Sequence, residues 1–241
     1  MTVIPADELP GLTLEQKFAL VREIDAVSTL LRHGFAIMPN YRFASRDAEA
    51  LFVCWAGGAE KLLKLTVGLV AYDEGEAWPN LATMKGAGHK ITELDDAARK
   101  LINLRASQST VPGHIEALLE RTDGHSGVVQ ILSTLERYAV KGRFFNLDLL
   151  AGQMQAGERP LDLWEELHQM ILEANPDMME DLAGESWEDA RQELNKIIAW
   201  SMALWCELLR SAWATGVCGA LARMQSPSLD LGHDQFLPAH G

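Results

Sequence analysis

Four small groupings in this 241-residue chain combine residue types that can move protons, hold anions or bind metals. Glu60 and Lys64 stand four apart in the order that favours an ion pair on one helix face, with Lys61 beside them. The rest of that face is Val53, Ala56, Val67 and Ala71, so the pair reads as a partly buried lock, with a binding role as the sharper alternative. His89, after Gly88 at an expected helix start, is a candidate for proton transfer because imidazole titrates near neutral pH; capping or packing is the plainer reading. The run from Glu136 to Asp148 gathers Arg137, Lys141 and Arg143. Within it, Arg143 with Asn146 and Asp148 could grip an anion or stabilise developing negative charge. Alternatively, Asp148 neutralises Arg143 while Phe144 and Phe145 plug the core. Glu165 and His168 make Glu-x-x-His, half of a carboxylate-bridged di-metal motif. The chain has no second copy, so no metal or other cofactor is expected, and His168 beside Trp164 and Ile171 reads as a core-edge residue. Glycine-rich phosphate loops, Cys/His zinc spacing and nucleophile elbows are absent.

The elements that must position these residues read as helices. Thr13 and Gln16 are spaced as a capping box before Leu14, Phe18, Val21, Val27, Leu30 and Leu31, with Gly34 as the stop. A second helix runs from Ser45 to about Tyr72. Its seam of Leu51, Trp55, Gly58, Leu62, Leu65 and Leu69 is backed by apolar residues opposite, which places it centrally. Gly57 and Gly58 inside it imply close approach by a neighbour. Glu74, Gly75 and Pro79 break the chain, and Gly86, Gly88 and His89 precede a helix over 90–105, with Thr92 and Asp95 spaced for capping. Residues 107–113 read as a loop. Helices are expected at 127–141 and 161–173, the latter opened by Pro160 and ended by Asn175-Pro176, with a short segment at 143–150. A last long helix, capped by Ser186 and Asp189, extends to about Leu221. Tryptophans 200, 205 and 213, if exposed on it, would favour a dimer. The expected fold is all-α: a single bundle of six or seven helices over 1–241, with 225–241 as a flexible tail.

Composition narrows the function classes. The net charge is −13, unevenly spread: 12 basic and 14 acidic residues over 1–110, then 9 and 20 over 111–241. Such a surface repels phosphate backbones, so RNA could be met only through the local basic spot Arg137, Lys141 and Arg143. No run of 18 apolar residues lacks a charge, and Met1–Pro10 has no signal pattern, so no membrane span or secretory leader is expected. Three cysteines without a CxxC fit reduced thiols in a cytoplasm.

Two segments, Gly57-Gly58-Ala59-Glu60-Lys61-Leu62-Leu63-Lys64 and Gly88-His89-Lys90-Ile91-x-x-Leu94, resemble the HEPN superfamily, in which a buried helix with Gly-x-Glu-Lys-x-x-Lys precedes a Gly-His at the next helix start. The resemblance covers residues 45–105. It implies an all-α bundle, frequently a homodimer, of the kind found in prokaryotic toxin, phage-defence and RNA-processing systems. Many such proteins are metal-independent endoribonucleases that use an Arg and a His separated by four to six residues. Here no Arg is followed by His at that spacing: Arg121 and His125 are one residue short, and Arg143 reaches Asp148 instead. The resemblance therefore implies a binding or regulatory protein, with a protein partner or a second copy. The alternative reading is a nuclease in which Arg143 binds phosphate and His89 transfers protons, and a purely structural bundle is the third.

Overall fold

The computed structural model describes residues 11–75, 77–80, 82, 88–184 and 186–238. Among these the fold is all-α with no strand, and ten α-helices stand where six or seven were expected. In chain order they are α1 (Leu14–Ile37), α2 (Ala44–Gly75), α3 (Ile91–Arg105), α4 (Pro112–Thr122), α5 (Ser126–Val140), α6 (Phe145–Leu150), α7 (Pro160–Ala174), α8 (Pro176–Ala183), α9 (Trp187–Ala214) and α10 (Ala220–Gln225). The readings placed on Met1–Pro10 and Gly86 lie outside the described residues.

α1 opens on the expected box: Thr13 Oγ1 accepts the Gln16 N–H, and Gln16 Oε1 accepts the Thr13 N–H. It does not stop at Gly34. A Cβ there would lie 2.1 Å from the Trp55 indole, so Gly34 admits a ring from α2 and the helix continues to Ile37.

α2 packs against α1, α3, α5 and α10, and both Trp55 and the Leu62–Leu63 pair are fully enclosed. Gly58 is the point of closest approach, since a Cβ there would meet the Leu31 side chain of α1 at 2.7 Å. One stripe of α2 stays half open, through Gly57, Glu60, Lys64 and Val67, with Val53 exposed at its start.

α9 is the second interior helix, packed against α4, α5, α7, α8 and α10. It ends at Ala214 rather than near Leu221, because Gly216 and Gly219 turn the chain at φ +88° and +95°. A side chain at Gly219 would also collide with Asp73. Trp205 and Trp213 are fully buried, so they offer no dimer surface. Each indole N–H is satisfied, Trp205 by Asp95 at 2.7 Å and Trp213 by Thr66 at 2.9 Å.

Two expected caps differ in outcome. Ser186 holds the N-cap position of α9 but makes no side-chain bond there. Asp95 is buried between Arg99 and Trp205, and burial raises its pKa against their opposing pull.

The segment expected as a flexible tail is packed as far as Leu237. Leu229, Leu231 and His233 are buried, and Phe236 stacks on Phe35 with centroids 5.4 Å apart. Arg32 bonds Asp230 at 3.0 Å, and Ser28 Oγ donates to the Ser228 carbonyl at 3.3 Å. Four apolar residues (Leu229, Leu231, Phe236 and Leu237) spaced among turn formers make this segment a strap across α1 and α9.

Candidate functional site

The two segments that carry the family resemblance meet on one carboxylate. Glu60 Oε1 accepts from Lys64 Nζ at 2.7 Å, and Glu60 Oε2 lies 2.9 Å from His89 Nδ1. Glu60 and Lys64 retain only 16% and 22% side-chain exposure, whereas His89 is 55% exposed. The pair is thus half sunk in the open stripe of α2, and the ring closes over it from the turn before α3. Burial pushes the Glu60 pKa up, but the bonds and charges of Lys64 and His89 outweigh it and hold the carboxyl below its ordinary value.

Lys61 faces away from this cluster and pairs with Glu23 of α1. His89 is no cap: Lys90 holds the N-cap position of α3, without a side-chain bond. That helix start is served instead by Glu136 of α5, whose Oε2 accepts the Thr92 N–H at 2.8 Å and the Thr92 hydroxyl at 2.6 Å. Negative charge there also suits the helix dipole. The first turn of α3 therefore sits between two carboxylates, Glu60 on one side and Glu136 on the other.

The remaining candidates form a separate cluster after α5. Arg143 is exposed, with its guanidinium 4.9 Å from the Phe144 ring centroid. Asn146 is exposed on α6, beside a recess of about 220 Å³ lined by Phe52, Tyr138, Phe145, Pro160 and Leu161. Asp148 does not neutralise Arg143; its Oδ2 accepts from Gln155 Nε2 at 2.6 Å. Gln155 Nε2 also donates to the Lys141 carbonyl at 3.0 Å. Among the described residues Arg137 bonds only neutral acceptors: the Glu158 carbonyl at 2.6 Å, the Ala156 carbonyl at 3.1 Å and Gln155 Oε1 at 3.3 Å. No hydrogen bond or ion pair links Arg143 to His89 among the described residues. The phenylalanines expected to plug the core do not: Phe144 is about half exposed and Phe145 is partly buried.

His168 is enclosed by Tyr41 and Trp164 rings 6.2 and 5.8 Å away, and burial drives its pKa down to about 4. Among the described residues its Nε2 has no hydrogen-bond partner, and its motif mate Glu165 is exposed. The residues with metal-ligand spacing are instead Glu207, His233 and Asp234, where α9 meets the strap. Glu207 Oε2 lies 2.9 Å from His233 Nε2. Arg210 reaches both Glu207 oxygens, at 3.0 and 3.1 Å, and Ser211 donates to Oε1 at 2.6 Å. Burial opposes ionisation of Glu207, yet these bonds bring its pKa down to about 2. The guanidinium already supplies the positive charge a metal would bring, so the grouping fits a structural latch better than a metal centre. Sequence reading missed this latch because its halves are 26 residues apart and only the folded-back strap joins them.

No family model matches the chain, and neither a curated protein nor a solved structure is significantly similar to it.

Proposed function

We propose that this chain is a HEPN-like helical protein that acts by binding, as a partner or regulator in a prokaryotic defence or RNA-linked system, without cleaving RNA. The observation that carries this reading is the convergence of Lys64 and His89 on Glu60, which joins the two segments of the family pattern in one cluster. The lack of any hydrogen bond or ion pair between Arg143 and that cluster among the described residues supports the non-cleaving half of the reading. His89 is committed to a carboxylate, and the arginine that would hold a scissile phosphate lies over Phe144. Homodimerisation belongs to this reading as the family's usual assembly.

Incubation of the purified chain with RNA in the presence of a metal chelator tests it. We expect intact RNA over hours. Cleavage that is lost in both His89→Ala and Arg143→Ala would replace the binding reading with the nuclease one.

A further inference from the structure

The chain keeps most of its large apolar residues inside, but between Val140 and Met154 it does the reverse. Val140, Phe144, Leu147, Leu149, Leu150 and Met154 are all at least 45% exposed, and Leu150 and Met154 reach 84% and 83%. No residue of α6 is buried. Single exposed apolar residues are ordinary, whereas a run of six within fifteen residues marks an interaction surface.

The surface is also braced. Gln155 ties the following loop to Lys141 and Asp148, and Arg137 fastens that loop at Gln155, Ala156 and Glu158. The Gln153 N–H donates to the Asp148 carbonyl at 2.8 Å and the Gly152 N–H to the Leu149 carbonyl at 3.0 Å, folding Met154 back beside α6. The shelf is therefore held in place without being covered.

Its charge departs from the rest of the molecule. On a chain of net charge −13, Arg137, Lys141 and Arg143 fall within seven residues, and none forms an ion pair among the described residues. Lys141 and Arg143 are exposed. An apolar shelf edged by unneutralised cations is complementary to a segment that is apolar on one face and acidic at its margins. A nucleic acid would use the cations but leave Leu147, Leu150 and Met154 against water.

We propose that the shelf formed by α6 and its flanks docks an acidic amphipathic helix of a partner protein. Phe144, Leu147, Leu150 and Met154 take its apolar face, and Lys141 and Arg143 meet its carboxylates. This inference rests on the binding reading but is tested apart from it, since that reading stands or falls on RNA cleavage.

The test is selection of a displayed library of random peptides, about 16 residues long, on the full chain. Leu147→Asp/Leu150→Asp serves as counter-target; both positions are exposed, and circular dichroism verifies its fold. Enriched peptides should carry apolar residues at i, i+3 or i+4, and i+7, with Asp and Glu between them. A synthetic copy should bind at least about tenfold more weakly to Leu147→Asp/Leu150→Asp and to Arg143→Glu. Its affinity should also fall as salt is raised. Failure to enrich, enrichment of neutral or basic peptides, or binding indifferent to these variants overturns the proposal. So does a dimer, seen by sedimentation, that Leu147→Asp/Leu150→Asp dissociates, because a second copy is then the occupant. Binding of single-stranded RNA that Arg143→Glu abolishes and Leu147→Asp/Leu150→Asp spares assigns the cations to phosphate and overturns it equally.

Discussion

At the scale of single residues, Glu60 is a carboxylate with little solvent, held by Lys64 on one oxygen and facing His89 on the other. Its depressed pKa means that its contribution to stability is fully present above the unfolded value near 4.5 and is lost as pH falls through the lower folded value. Glu60→Gln should lower stability by about 1 kcal/mol at neutral pH and remove that acid-dependent share, as read by urea melts. Replacing Glu60 and Lys64 together by Leu and Met should leave the melting temperature equal or higher, because no unpaired charge remains half-buried. His168 titrates with the opposite charge but the same sign of effect. Its pKa sits near 4 when folded and near 6.5 when unfolded, so the unfolded chain takes up the proton first. Its contribution is complete above about pH 6.5 and declines towards pH 4, with a span on the order of 3 kcal/mol. In His168→Phe, denaturant midpoints should vary less between those pH values than in the wild type.

At the scale of elements, two adjacent glycines of α2 separate packing from helix propensity. A Cβ at Gly58 would strike the Leu31 side chain at 2.7 Å and approach the Leu31 amide nitrogen at 3.3 Å, whereas at Gly57 it would only touch Leu30 at 3.4 Å. Gly58→Ala should therefore cost about 1–3 kcal/mol, and Gly57→Ala should be neutral or stabilising by up to about 1 kcal/mol, in thermal melts of the two variants. α2 was legible in the sequence because alternating steps of three and four run from Leu51 to Leu69, and Gly58 flagged the contact that it makes. α4 was not legible: only Ile115, Leu118 and Thr122 of its eleven residues are buried, too few for a clear period. Its one local signal is Pro112 at the first position. α8 buries none of its eight residues and begins at Pro176, which reads as a stop for α7 as readily as a start. The Glu60–His89 contact was half legible. Both residues stood out as motif members, but nothing in a 29-residue separation states that one carboxylate serves both.

At the scale of the whole molecule, the strap couples α1 to α9. It buries Leu229 and Leu231, stacks Phe236 on Phe35, and sets His233 against Glu207 in the interior. A chain ending at Ser228 should lose several kcal/mol, since each buried leucine contributes about 1.5–3 kcal/mol and Glu207 forfeits its histidine. Chemical denaturation of the truncated chain measures this. The partners of Asp230 and Ser228 are Arg32 and Ser28, 198 and 200 positions away. A growing polypeptide therefore leaves the flank of its first helix uncovered until the strap has been made, and a chain arrested before Leu229 presents that flank as a surface for chaperones.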